Sequence, residues 1–402
     1  LKIDPKEQDP RQDDSDSQPR YLVLDAVRGV SAFVVLIYHC MLTLPVWSDV
    51  VVHGVYRTRL AAVLGTPPLS LLWDGRGAVD VFFALSGFVL ALMYTSPRPS
   101  PGYAAFVTKR ICRIYIPYIV VVSIAMVLMT ATAPHRTPEL SEWFQYAWHG
   151  PVTRGLILNH VLMLGQPKFN FVDNPVWSLV HEMRYSLIFP LIMSLVMRAA
   201  WIPTVVFSFL ASSAAIWAYG RIDYNPAVDS LQYAFLFVAG AVLAKHRVSF
   251  VQWFQRLSPV WRALLVVAGF LLLSGAGSRF QSLLVRDVLI AGPEVGAVLL
   301  LASVIASVWA RSVLENKLLL WLGRISYSLY LSHVVVILTL GNLLHRIVPI
   351  SWLLIAIFPV ALVLASGLFR FVERPAISLG HKLANYIDGG EYRTVASNQT
   401  KS

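Results

Sequence analysis

Three ionisable residues interrupt the first apolar stretch of this 402-residue chain: Asp25, Arg28 and His39. Polar groups at such depth in an apolar helix need a reason to be there. Arg28 and His39 are eleven residues apart, about 16.5 Å along a helix axis and about 20° around it, so they share one face. Asp25 lies one turn below Arg28. In one reading Asp25 and Arg28 pair at the membrane edge, Arg28 snorkels, and His39 satisfies a neighbour's carbonyl. In the other, a neutral imidazole in the outer half of a span serves as a general base, because its ordinary pKa lies near neutrality. The shared face favours the second.

Other groups invite the same comparison. Lys109, Arg110 and Arg113 open a later apolar run. They read as an anchor on the basic side of a membrane or as a fork for phosphate oxygens, which guanidinium groups suit. Glu182 lies about two turns into another apolar run, near the expected depth of His39, where a carboxylate can orient an imidazole. Asp80, at the outer mouth of the second helix, competes for that role, and Glu182 ranks first. Ser86 and Gly87 read as close helix packing. Ser326, Tyr330 and His333 fall on one face at i, i+4 and i+7, with interhelical hydrogen bonds as the default role and channel lining as the alternative for His333. His135, His149 and His160 have no metal-ligand spacing, and no metal site is expected. Cys40 and Cys112 both sit in apolar runs and are too few for a metal cluster or a disulfide framework.

The elements that position these residues follow from composition. The chain is 56% hydrophobic and 14% charged, with a mean hydropathy of +0.62, against roughly 25% charged in soluble domains. That excludes a soluble globular enzyme. The formal charge of +11 does not imply nucleic acid, because the basic residues flank apolar runs instead of gathering on one soluble face. Runs long enough for a bilayer fall at about 22–46, 77–96, 112–132, 176–198, 201–219, 229–244, 263–276, 288–310, 325–345 and 351–370. The expectation is an all-α polytopic membrane protein of about ten spans, with 155–165 a short re-entrant or interfacial helix. Assigning the connections alternately to the two sides puts 21 Lys and Arg on the side of both termini and 10 on the other, which places both termini in the cytoplasm. Residues 1–20 and 380–402 are expected to be disordered cytoplasmic tails around one membrane domain, 21–379. The first apolar helix is expected to be an uncleaved anchor.

Taken in order, Asp25-x-x-Arg28-Gly29 with Arg28-x10-His39, Phe82 to Phe88, Arg110-x-x-Arg113, Trp177-Ser178 to Glu182, Ser326-Tyr327 to His333, and Glu373-Arg374-Pro375 resemble the acyltransferase family 3 of integral-membrane proteins. His181 and Met183 flank Glu182 where the family more often has Ser or Val before it and Trp after it. The resemblance implies a multi-pass protein of the cell (inner or plasma) membrane. It implies O-acylation of a carbohydrate or lipid-linked acceptor by cytoplasmic acyl-coenzyme A, acetyl-coenzyme A above all. His39 and Arg28 would be the essential pair and Glu182 a further catalytic group. Arg28, Arg110 and Arg113 would meet the donor phosphates, and Asp25, Asp80, Ser86, Tyr330 and His333 would support or line the path. No permanently bound cofactor is expected, and membrane lipid is the surrounding partner. The esterase-like domain of longer members is expected to be replaced by a partner protein. The rival from another class is a glycan or lipid transporter with a buried Arg, His and Glu path; such proteins often show two related halves, and no such symmetry is seen.

Overall fold

The structure is a computed structural model that describes residues 21–96, 101–132, 137, 139–166, 170–219, 221–275 and 291–399, with 390–399 described by backbone alone. The expected tail 1–20, together with His135 and Arg136, lies outside the described residues. Described residues form helices joined by turns. Helix α1 is Leu22–Leu42, and the connection after it carries two short helices, α2 (Pro45–His53) and α3 (Arg59–Leu64). Next come α4 (Gly75–Leu92), α5 (Tyr103–Arg110), α6 (Ile116–Thr132), α7 (Glu142–Tyr146), α8 (Arg154–Val161) and α9 (Val176–Arg198). The following six are α10 (Trp201–Ala218), α11 (Pro226–Leu231), α12 (Ala234–Lys245), α13 (Arg247–Arg256), α14 (Pro259–Leu273) and α15 (Gly292–Ala306). The chain closes with α16 (Val308–Leu314), α17 (Lys317–Leu344), α18 (Ile350–Leu368) and α19 (Arg374–Gln399).

The chain is an all-α polytopic membrane protein. Among the described residues, eight continuous helical stretches are long and apolar enough to cross a bilayer. The α15–α16 pair, bent by 90°, and the shorter apolar α14 stand where the other two expected spans fall. Helix α8 has eight residues and is too short to span. Two of the long helices have their first-turn amides answered by a side chain of the chain itself. Asp74 accepts from Gly77 N at 2.9 Å ahead of α4, and Asn316 accepts from Leu319 N at 3.0 Å ahead of α17.

One expectation is corrected. Residues 380–399 are helical, as the continuation of α19, and not a disordered tail. The cause is packing: α19 lies on α5, with Ala384 fully buried and Gly380 set against Cys112 and Lys109.

Two helix pairs make the most extensive contacts, α1 with α17 and α4 with α12. Both depend on glycine. A Cβ on Gly323 would lie 2.2 Å from Asp25 O, and one on Gly29 would lie 2.6 Å from Gly323 N. A Cβ on Gly240 would lie 2.1 Å from Ala84 O, and one on Gly87 would lie 2.3 Å from Phe237 O. Between membrane helices there is little hydrophobic force to gain, so backbone-to-backbone approach through small residues supplies the attraction. The α1–α17 contact also fixes register. His39 lies ten residues beyond Gly29, and His333 lies ten beyond Gly323, so two parallel helices joined at their glycines bring their histidines level.

Gly323→Ala is therefore expected to lower stability by about 1–3 kcal/mol, the usual cost of overpacking. Gly367→Ala, with nothing within 4 Å of the added carbon, serves as the control and should be neutral or stabilising. Thermal unfolding of the detergent-purified variants measures both, and equal midpoints would remove the glycine contact as the register device.

Candidate active site

The site forms where α1, α17 and the start of α9 meet. His39 and His333 are 4% and 0% exposed. His333 Nδ1 lies 3.0 Å from Leu329 O, and because a carbonyl only accepts, that nitrogen carries the proton. In neutral His333 the Nε2 atom is then an acceptor, and it lies 3.0 Å from His39 Nδ1. His39 Nδ1 is also 3.0 Å from Val35 O, a second acceptor. His39 therefore carries its proton on Nδ1, shared between Val35 O and His333 Nε2, and keeps a lone pair on Nε2. That Nε2 faces Asn174 Oδ1 at 3.4 Å, an oxygen ready to accept once Nε2 gains a proton. Trp143, from α7, and Tyr38 close over the imidazole at ring separations of 5.4 and 5.0 Å.

The sequence reading gave His39 a carboxylate partner, with Glu182 ahead of Asp80. The structure corrects this. Among the described residues, the groups within hydrogen-bond distance of the His39 ring are Val35 O, His333 Nε2 and Asn174 Oδ1. The reason is depth: Asn174, just ahead of α9, is level with His39, and Glu182 is eight residues, about 12 Å, further along. Glu182 Oε1 instead accepts from Ser86 Oγ at 3.3 Å, so the structure joins two residues that the sequence treated separately. Asp80 lies within electrostatic reach of Asp74 and Arg76 near the N-terminal end of α4. Tyr330 contacts Ser178 Oγ at 2.7 Å and donates to Pro175 O at 3.3 Å, tying α17 to the start of α9. Its ring is 6.0 Å from that of His333. Ser326 Oγ donates to Gly323 O within its own helix.

The charged groups gather at the other end of the bundle. Asp25 and Arg28 are 3.5 Å apart, as the one-turn spacing suggests. Arg110 stands over the Phe106 ring and within electrostatic reach of Arg113, Glu182 and Arg28. Two π-helical segments flank this cluster, Ile111–Tyr115 with Arg113 and Phe369–Glu373 with Glu373. Such bulges re-aim side chains and recur at functional sites. Glu373 accepts from Ser328 Oγ at 2.6 Å and lies within electrostatic reach of Arg113 and Arg28.

The sequence reading missed Asn174, the tie that Ser178 makes to Tyr330 and the charge-balancing role of Glu373. Asn-Pro ahead of a helix reads as a cap, and nothing local distinguishes Asn174 from one. Glu373 was noticed only as part of a motif.

An all-α membrane bundle with a buried histidine pair facing one side and an arginine cluster facing the other defines the class. Residues 21–370 match the profile of an acyltransferase domain, acyltransferase family 3, and the chain belongs to that family. It is 24% identical over 351 residues to the peptidoglycan O-acetyltransferase OatA of Listeria monocytogenes, covering 80% of this chain and 54% of that protein. It is 28% identical over 352 residues to the acyltransferase MdmB of Streptomyces mycarofaciens, covering 79% of this chain and 84% of that one. The match to OatA thus spans about half of that relative's length. No solved structure matches the chain.

The geometry has a spectroscopic consequence. Solid-state NMR of ¹⁵N-histidine protein should find neutral His39 protonated on Nδ1, and His333→Leu, which removes the acceptor, should mix the two tautomers. A wild-type His39 protonated on Nε2 would contradict the arrangement.

Proposed function

We propose that the chain is a membrane O-acyltransferase moving an acyl group, acetyl first among candidates, from cytoplasmic acyl-coenzyme A to a hydroxyl of a glycan or lipid-linked acceptor on the outer side. The observation that carries this reading is the basic nitrogen of His39: the contact with His333 directs the proton to Nδ1 and leaves Nε2 as the only ring atom with a lone pair. A positioned imidazole lone pair in a site built by two packed helices is what deprotonation of an alcohol requires.

The donor would enter beside Arg28, Arg110 and Arg113, whose guanidinium groups suit its phosphates. Its thioester would extend along α1 toward His39, about 16.5 Å from Arg28 along the helix axis. The acceptor would approach past Trp143 and Asn174. In the direct route the acceptor O–H bond breaks and its proton goes to His39 Nε2, while the oxygen bonds the acyl carbon. The C–S bond then breaks, and the leaving thiolate takes the proton from His39 Nε2. Asn174 Oδ1 accepts from Nε2–H during the interval, and His333 Nε2 holds the ring in place. The same nitrogen could instead carry the acyl group transiently, a route that would leave a trappable acyl-His39 adduct.

The two named relatives support the class of reaction: one is a peptidoglycan O-acetyltransferase and the other an acyltransferase. The family places the protein in a membrane, and a bacterial inner membrane is the setting we propose for it.

Transfer of radiolabelled acetyl from acetyl-coenzyme A to membrane glycans and lipids tests the proposal. At matched membrane levels His39→Ala should lose about 10²–10⁴ in rate. Arg110→Ala and Arg113→Ala should chiefly raise the KM for the donor, each by roughly tenfold for a lost charge-assisted hydrogen bond. Equal labelling by wild type and His39→Ala would move the protein toward the transporter reading.

A further inference from the structure

The short segment that brings Asn174 to His39 is held unusually firmly. Trp148 donates from its backbone N to Phe171 O and from Nε1 to Val172 O, each at 2.8 Å. It does so with a φ of 57°, a left-handed conformation that is strained for so bulky a residue. On the other side, Val176 N donates to Asp173 O, and Ser178 Oγ and Tyr330 OH both donate to Pro175 O.

Within this clamp sits Asp173, 0% exposed, with neither carboxyl oxygen in a hydrogen bond among the described residues. A buried carboxyl that makes no hydrogen bond gives up its hydration for nothing. Nor does the fold use it, because the hydrogen bond that shapes the turn comes from the residue's backbone oxygen. The side chain is within electrostatic reach of the phenols of Tyr118 and Tyr330, so it lies beside the group that binds α17 to α9. Tyr118 in turn contacts His160 Nδ1 at 3.1 Å and donates to His160 O at 3.0 Å. The carboxyl thus stands in a polar, enclosed corner one residue from the group that faces the basic nitrogen of His39.

We propose that Asp173 is an acceptor-contact residue, its carboxyl hydrogen-bonding a hydroxyl of the acceptor beside the one presented to His39. Burial pushes this carboxyl well above the usual carboxylate range, toward its neutral form. A neutral carboxylic acid both donates and accepts, the complement of an alcohol, whereas an ionised one would select cations. The acceptor class is therefore uncharged at this point and carries neighbouring hydroxyls, as a sugar ring does. This inference rests on the acyl-transfer reading of the site.

The test compares wild type, Asp173→Asn and Asp173→Val, with acetyl-coenzyme A as donor and alkali-deacylated glycan extract of the host membranes as acceptor. Asp173→Val should raise the KM for the extract about tenfold or more, the loss expected for one hydrogen bond, Asp173→Asn, whose amide still donates and accepts, should raise it less, and both should leave the KM for acetyl-coenzyme A unchanged. Asp173→Val should keep or raise the thermal midpoint, since it removes a polar group that the fold leaves unsatisfied. A lowered midpoint in both variants with unchanged acceptor KM would make Asp173 structural and overturn the proposal. Infrared difference spectra give a readout independent of turnover. The wild type should show a free protonated carboxyl band, absent from Asp173→Asn, that shifts to lower frequency when the extract is added. A band that ignores the extract counts against the contact. Should the wild type transfer no acetyl at all, the acyl-transfer reading itself falls, and the infrared response still decides whether Asp173 meets the extract.

Discussion

The backbone contact between α1 and α17 at Gly29 and Gly323 is the constraint on which the site depends. A side chain at either position would push the helices apart by more than a hydrogen bond can stretch. With both glycines in place, two parallel helices share a register, and residues at the same offset on each must meet. His39 and His333 are such a pair. Chemistry at one end of the helices is therefore set by packing about 15 Å away, where neither residue type has any reactivity of its own.

The second constraint is the solvent. In lipid each buried polar group must be answered from within the protein, and the charged half of the bundle shows how. Arg28 meets Asp25, Arg110 lies near Glu182, and Glu373 stands near both Arg113 and Arg28. In this cluster cations and carboxylates come from three helices and two π-helical segments, so each charge has one of opposite sign near it.

Much of this was legible in the chain itself. Apolar run lengths mark the spans, since bilayer thickness admits few alternatives, and the shared face of Arg28 and His39 follows from helix geometry alone. The partner of His39 was not legible. Its identity depends on which helices touch and at what height, and Glu182 looked level with His39 only when α9 was counted from its own first residue. Of the glycines that set the height, Gly29 was noticed only within a motif and Gly323 was passed over. Residues 380–399 misled for a related reason: a polar stretch reads as disordered until the surface that buries Ala384 and Gly380 is known. Local composition speaks for single elements, and pairings across elements require the fold.

A histidine as the partner of a basic histidine also has a physical rationale in this setting. A carboxylate would hold a permanent charge in a region of low polarity, and its desolvation would have to be met at rest as well as during turnover. Two neutral imidazoles linked by one hydrogen bond, each anchored to a carbonyl of its own helix, leave the resting site uncharged. Charge then appears only when Nε2 of His39 takes a proton, and at that moment Val35 O and Asn174 Oδ1 are already placed around the cation. Dipoles fixed in advance need no reorganisation when charge develops, the condition under which electrostatic stabilisation is most effective. The weaker attraction of a neutral partner is offset by the lower cost of holding it in the membrane, so the His39–His333 pair suits the buried base proposed above.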